Sequence, residues 1–360
     1  MIKQLADSMG AKVLCFDHRK SGLKRVLGFD ASPNTIGELL STEVILAVGF
    51  TASASVLRVK LKQAAENGAK IVLINPEGLE QDLPFLYRSI SVKNDLSFLK
   101  ELARALLDLG KTSNAEGFGT FVKDLEGVAP SDAARETAAL YAGAKKAMIL
   151  FQQNLLSIDA ATLLGELAVL SGHIGAPRDG IVQIKAKNNS QGLIDLGIDA
   201  GAESMTGVKA LLTFGEDPAP AYLEGLEFLA VCDTHLTKTA SQADVVFPGT
   251  GFACADGTFP NTERRRPAIE PDVPLLNWEV AAAVANVYET VLPYADEADI
   301  SAAMDAALPG YRNAKVGEVS GGVLTCTAPK FVHVHNDQPL AEAMPCADHL
   351  MNLMESRMPK

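Results

Sequence analysis

Cysteine is sparse and scattered in this sequence. The five residues are Cys15, Cys232, Cys254, Cys326 and Cys346, each separated from the next by a long stretch of chain. That spacing excludes a local CxxC pair, and with it the usual iron–sulfur and zinc ligand patterns. An odd, dispersed set is what reduced thiols look like. No apolar run is long enough to cross a bilayer, and the opening residues MIKQLADSMGAK lack the apolar core of a secretion signal. Positive charge is in deficit. Against 44 Asp and Glu stand 32 Lys and Arg, a net −12, which argues against nucleic acid or an anionic membrane surface as a partner. Neither an internal repeat nor a low-complexity tract is present. These absences point to a soluble, cytoplasmic protein. Its 360 residues, 48% apolar and 21% charged, suffice for two or three domains with cores of their own.

What is present alternates between strand-like and helix-like segments. Lys12–Phe16, Val44–Val48 and Lys70–Ile74 are continuous apolar runs, as expected of parallel strands covered on both faces. Between the last two, residues 53–67 carry apolar positions near helical spacing, and Gly68 supplies a stop, which makes a βαβ unit. Another helix is expected over Leu96–Leu109, capped by Asn94 or Asp95. Residues 110–143 read as a connection of two short helices. A strand over Lys146–Phe151 then opens a second region, in which Asp159 caps a helix running to Leu170 and further strands lie at Leu211–Phe214, Phe228–Cys232 and Val245–Phe247. The fold class expected is α/β with two Rossmann-like parallel-sheet domains. Their expected bounds are 1–143 and 144–312, with a C-terminal extension over 313–360. In that extension two short strands, His333 and His335 on one face, and an apolar tail from Pro339 are expected.

Polar residues gather just past strand ends, where open α/β sheets bind ligands. Asp233 closes the strand at Phe228–Cys232. Thr237, Thr239 and Asp244 follow, and Asp256, Gly257, Thr258, Asn261 and Glu263 lie beyond Pro248. A second polar set, Asn188, Asn189, Gln191, Gly192 and Asp195, follows the Gly-rich turn 171–180. Amide side chains beside glycine can approach a flat polar ligand, or equally bond loop backbone and fix a long connection. Thr237 and Thr239 can equally cap a helix, and Asp256-Gly257 can make a turn.

The spacing of these residues resembles the molybdopterin oxidoreductase family, which includes formate dehydrogenases and the large iron–sulfur subunit of NADH–quinone oxidoreductase. The family pattern D-x-x-x-T-x-T-A-x-x-A-D-V-V-L-P is matched by Asp233, Thr237, Thr239, Ala240, Ala243, Asp244, Val245, Val246 and Pro248. Its later G-T-x-x-N-x-E-x-R is matched by Gly257, Thr258, Asn261, Glu263 and Arg265, with Cys254 where a Glu is usual. N-N-x-Q-G and D-x-G are matched by Asn188, Asn189, Gln191, Gly192, Asp195 and Gly197. Three loops depart from it. Val48-Gly49-Phe50-Thr51 stands for G-S-N, Asn75-Pro76-Glu77-Gly78 for D-P-R, and Gly215-Glu216-Asp217-Pro218 for G-x-N-P.

In the family these loops help hold a pterin dinucleotide, so Glu77, Glu216 and Asp217 are expected to repel its phosphates. The resemblance covers about residues 1–312. It implies a middle piece without the family's iron–sulfur segment, metal-ligand residue and C-terminal barrel. Two functions stay open. One is a non-catalytic structural subunit of a cytoplasmic NAD(H)/ferredoxin-type or formate-type oxidoreductase complex, docked beside flavin and iron–sulfur subunits. It has no catalytic residue, no metal and no cofactor, and its interdomain cleft is empty or collapsed. The other is the half of a split formate-dehydrogenase-like enzyme that binds molybdopterin guanine dinucleotide. Asn188, Asn189, Gln191, Asp233, Thr237, Thr239, Asp244 and Asn261 are the pocket candidates, vestigial and bonded to backbone or water in the first reading, ligand-holding in the second.

Overall fold

A computed structural model describes residues 1–15, 21–51, 55–79, 81–185, 187, 189–198, 205–251, 257–258, 268–269, 277–288, 290–308 and 328–334. In chain order the first elements are α1 (Ile2–Met9), α2 (Leu23–Leu27), β1 (Val44–Val48), α3 (Ser55–Glu66), β2 (Lys70–Pro76), β3 (Arg88–Val92), α4 (Asp95–Asp108), α5 (Phe118–Asp124) and α6 (Asp132–Gly143). Then come β4 (Ala147–Gln152), α7 (Ile158–Ser171), β5 (Gly180–Ile184), α8 (Ser190–Asp195), β6 (Ala210–Phe214), β7 (Phe228–Asp233) and β8 (Val245–Pro248). β9 (Gly257–Thr258), β10 (Ala268–Ile269), α9 (Asn277–Val287) and α10 (Glu297–Ala307) complete the set.

Two parallel sheets organise the chain, so the α/β expectation holds. The larger has the order β3-β2-β1-β4-β5, and the smaller β6-β7-β8. β1, β2 and β4 bury nearly every residue, because helices cover both faces of the larger sheet. One apolar cluster joins Leu46, Val72 and Ile149 to α4, α6 and α7; the other joins Ile45, Leu73 and Leu150 to α3. The smaller sheet has a modest core of Leu229, Val231 and Ala240. Among the described residues no helix is long and apolar enough to cross a membrane.

Several expectations need correction. β4 pairs with β1 and β5 with β4, so the boundary expected at 143/144 falls inside the larger sheet. Residues 12–15 form no strand; Cys15 is buried and its Sγ meets Glu216 instead. α7 is capped by Ser157, whose hydroxyl accepts from the Ala160 amide, while Asp159 pairs with Arg25 at 2.9 Å. The apolar spacing from Asn277 predicts a helix to Val291, but α9 ends at Val287. Asn94 does cap α4, accepting from the Ser97 amide. Of the two short strands expected in the extension, the one over 321–326 lies outside the described residues, as do His335 and the apolar tail, and over 330–334 no strand forms.

Candidate functional site

The carboxyl ends of β6, β7 and β8 meet around a cavity of about 420 Å³, lined by Gly215, Cys232, Asp233, Thr234, His235, Gly249, Thr250, Gly251 and Asn277. Two backbone bonds draw its rim together, from the Gly215 amide to the Cys232 carbonyl and from the Gly249 amide to the Asp233 carbonyl, each 2.8 Å. Glycine is required at 249: a Cβ there would stand 2.8 Å from the Asp233 carbonyl carbon. Asn277, the first residue of α9, clamps the far side, accepting from the Thr250 amide at 2.8 Å and donating to its carbonyl.

Asp233 lines this cavity. Its Oδ1 accepts from the Thr234 amide at 2.6 Å and from the His235 amide at 3.3 Å, so the carboxylate holds its own turn. Cys232 is buried behind it. Burial, then the Asp233 charge, pushes the thiol pKa up, which keeps the sulfur protonated and a poor nucleophile or metal ligand. Among the described residues no group of three or more His, Cys, Asp or Glu is placed to hold a metal ion.

The other expected site residues serve the backbone in several places rather than converging on one. The Thr237 hydroxyl accepts from the Ala240 amide at 3.1 Å. Thr239 is buried; its amide donates to Asp217 Oδ1 at 3.0 Å and its hydroxyl to the Pro218 carbonyl at 3.3 Å. This pair ties the loop after β6 to the loop after β7. Asp244 lies at the opposite end of β7, accepting from the Leu229 amide at 2.8 Å. Gln191 sits at the end of β5 near the larger sheet, where its amide donates to the Asp30 carbonyl and to Asp195 Oδ2. Asn189 is exposed at the head of α8. Asn188 and Asn261 lie outside the described residues.

The three carboxylates expected to repel a phosphate are also dispersed. Glu77 is exposed beyond β2. Glu216 meets Lys187 at 3.3 Å and Cys15 Sγ at 3.5 Å, so its charge is offset rather than bare. Asp217 is taken up by the Thr239 amide. The expectation of direct repulsion is therefore replaced by one of acceptors already engaged. On the larger sheet, Asn75 is buried and bonds the Phe50 amide and carbonyl and the Leu79 carbonyl, closing the loops after β1 and β2 onto each other.

Tested against a pyrophosphate-bearing dinucleotide, this cavity does not fit. Its described lining has one carboxylate and no Arg or Lys, whereas phosphate binding needs cations or converging backbone donors.

Sequence reasoning missed two features. One is a buried polar knot at the end of β5. Lys185 Nζ lies 3.0 Å from Asp30 Oδ1 with the two side chains 2% and 4% exposed, and Ser21 donates to Asp30 through both its amide and its hydroxyl. The other is His173, in the Gly-rich turn, whose ring bridges Asp179 and the Tyr141 carbonyl at 2.9 Å each. A lysine directly after a buried apolar strand was the only signal for the first.

A family model described as molybdopterin oxidoreductase matches residues 1–279. Formate dehydrogenase H of Escherichia coli is 25% identical over 342 residues, which cover 74% of this chain and 48% of that protein. F420-dependent formate dehydrogenase 1 subunit alpha of Methanococcus maripaludis is 26% identical, with coverages of 74% and 50%. NADPH-Fe(3+) oxidoreductase subunit alpha of Geobacter sulfurreducens is 24% identical, with coverages of 84% and 44%. The chain thus spans about half the length of these curated relatives. In fold it is similar to a chain from the X-ray structure of the formyltransferase/hydrolase complex (FhcABCD) of Methylorubrum extorquens with methylofuran. The TM-score is 0.51 at 16% identity, over 76% of this chain and 82% of that one.

Proposed function

The chain belongs to the molybdopterin oxidoreductase family, and from that premise we propose that it is a non-catalytic structural subunit of a multi-subunit oxidoreductase complex of the formate or NAD(P)H–ferredoxin type. Its partners in this reading are flavin and iron–sulfur subunits, and its setting is the cytoplasm. The observation that carries the reading is the internal use of the family's polar residues. Asp233, Thr237, Thr239, Asp244 and Gln191 each bond nearby backbone, and Asp217 is bound in turn by Thr239. Such residues hold loops in place whether or not a ligand is present. Two further facts support it: the cavity lining offers a pyrophosphate one carboxylate and no described cation, and Cys232 is kept as a buried thiol. The same fold also spans 82% of one chain of a solved multi-chain complex. The competing reading, the pterin-binding half of a split enzyme, would need those same residues for the ligand.

Substitution separates the two. Thr239→Val deletes the hydroxyl that bonds the Pro218 carbonyl and loosens the loop held by Asp217. A lost buried hydrogen bond costs about 1 kcal/mol. A scaffold role predicts a smaller yield of assembled complex, with turnover per assembled complex unchanged. Turnover per complex falling tenfold or more at full assembly would favour the split enzyme.

A further inference from the structure

Residues 328–334 lie across three helices as a short strap. The Lys330 amide donates to the Val26 carbonyl at 3.0 Å at the end of α2, and the Phe331 amide to the Glu116 carbonyl at 2.8 Å just before α5. The Phe331 ring packs on Phe118 and Phe121, at centroid distances of 5.3 and 4.6 Å. Gly117 has φ +83°, and a Cβ on it would stand 2.1 Å from the Phe331 carbonyl oxygen, so the groove is shaped to the strap's backbone. The third anchor is a side chain. Glu166, fully buried on α7, accepts the Val332 amide on Oε1 at 2.7 Å, while its Oε2 is buried without a hydrogen-bond partner among the described residues.

Among the described residues, a carboxylate in that position would be buried with one oxygen unsatisfied and no cation bearing on it. Two carboxylates bear on it, Asp124 at the end of α5 and Asp159 at the start of α7, and Asp159 already holds Arg25 of α2. On the strap, the His333 ring meets Asp124, and Lys330 is the one lysine. β4 and β5 carry no charged residue. On α4 Arg104 pairs with Asp108, Glu101 accepts the Ser131 amide, Asp95 accepts the Leu96 amide and Lys100 is half-buried, while Lys24 of α2 and Lys123 of α5 are exposed, and none of these cations bears on Glu166. The neutral carboxyl is therefore the form that suits the docked strap.

We propose that the strap is a pH-sensitive latch, docked while Glu166 is protonated and loosened when Glu166 ionises. Freed from the strap, Glu166 is wetted and its charge tolerated; docked, it is sealed. Burial pushes its pKa up, the Val332 amide draws it partly back, and Asp124 and Asp159 push it up again, to about 8; the seal that docking imposes outweighs the one hydrogen bond it supplies. A group raised on docking carries an extra proton in the docked state. Docking is then strongest below the ordinary glutamate range and weakens by about tenfold per pH unit as pH rises from there to about 8, where the loss levels off. This inference does not depend on the function proposed above.

Hydrogen exchange of the full chain, read at the strap and corrected for intrinsic rates, tests it between pH 5.5 and about 9. Expected is protection at the strap that falls steeply toward about pH 8 in the wild type. Glu166→Gln, which keeps the acceptor but cannot ionise, should hold protection constant across the range. His333→Ala should keep the slope. A flat wild-type profile, an unprotected strap at every pH, an unchanged slope in Glu166→Gln, or a slope lost in His333→Ala would each overturn the proposal.

Discussion

Replacing Lys185 with methionine is expected to lower stability by about 3–5 kcal/mol, because the change leaves the Asp30 carboxylate buried without its counter-charge. The two side chains are 2% and 4% exposed, so water does not screen the pair. Burial alone would push the Asp30 pKa up. The Lys185 ammonium, with donors from Ser21 and from Lys185 itself, outweighs that and holds it below the ordinary carboxylate range. In the wild type this stability is present above the ordinary Asp value and is lost as pH falls through the depressed one. In Lys185→Met the sign reverses: Asp30 prefers its proton, so the variant regains stability on mild acidification. Adding Asp30→Asn, which still accepts from Ser21, should recover a large share of the loss. Urea unfolding of the single and double variants reads both effects. A single-variant loss under about 1 kcal/mol would contradict the buried-pair account.

Asp179→Ala is expected to cost about 3 kcal/mol, through the loss of three donors from one carboxylate. Lys146 Nζ lies 2.7 Å away, the Ala147 amide 2.9 Å and His173 Nδ1 2.9 Å. Through them Asp179 fixes the start of β4, the turn after α7 and the Tyr141 carbonyl bonded by His173. Burial works against the charged form, but Lys146, the Ala147 amide and His173 together depress the Asp179 pKa. Its contribution is therefore present at neutral pH and lost in acid as the group protonates. The variant should show a shallower decline of stability with acid than the wild type, measured as unfolding midpoint from neutral pH downward. Parallel pH curves for the two proteins would contradict the assignment.

The strands legible in the sequence were those written as continuous apolar runs, whether buried on both faces as β1, β2, β4 and β7 largely are or mostly exposed as β8 is. Val44–Val48 is β1 to the residue, and the runs at Lys70, Lys146, Leu211, Phe228 and Val245 mark β2, β4, β6, β7 and β8 to within one or two residues. β3 escaped notice because an edge strand with one wet face reads RSISV, and β5 because GIVQI is short and follows a turn. Lys12–Phe16 misled for the converse reason. Apolar character marked burial of Cys15, but residues 12–15 pair with no neighbour strand. The boundary at 143/144 failed because β1 and β4 pair across about a hundred residues, and nothing local announces such a partner. The same distance hides the contacts that matter most at the sites. Asp30 meets Lys185, Asn75 meets Phe50, and Glu166 meets Val332 across sequence gaps of 155, 25 and 166. The motif did place Asp233 at the mouth of a strand-end cavity. It did not reveal that Asp244, in the same motif, braces the other end of β7.

The central claim is that this chain is a scaffold whose polar motif has been turned inward. Its most direct test is the metal and pterin content of the complex purified anaerobically with its native partners, resolved subunit by subunit. The account predicts no stoichiometric molybdenum, tungsten or pterin with this chain, and assembly that depends on it. One pterin dinucleotide per chain, lost on Asp233→Ala or Thr237→Ala, would contradict the account and make the chain the cofactor-binding half of a split enzyme.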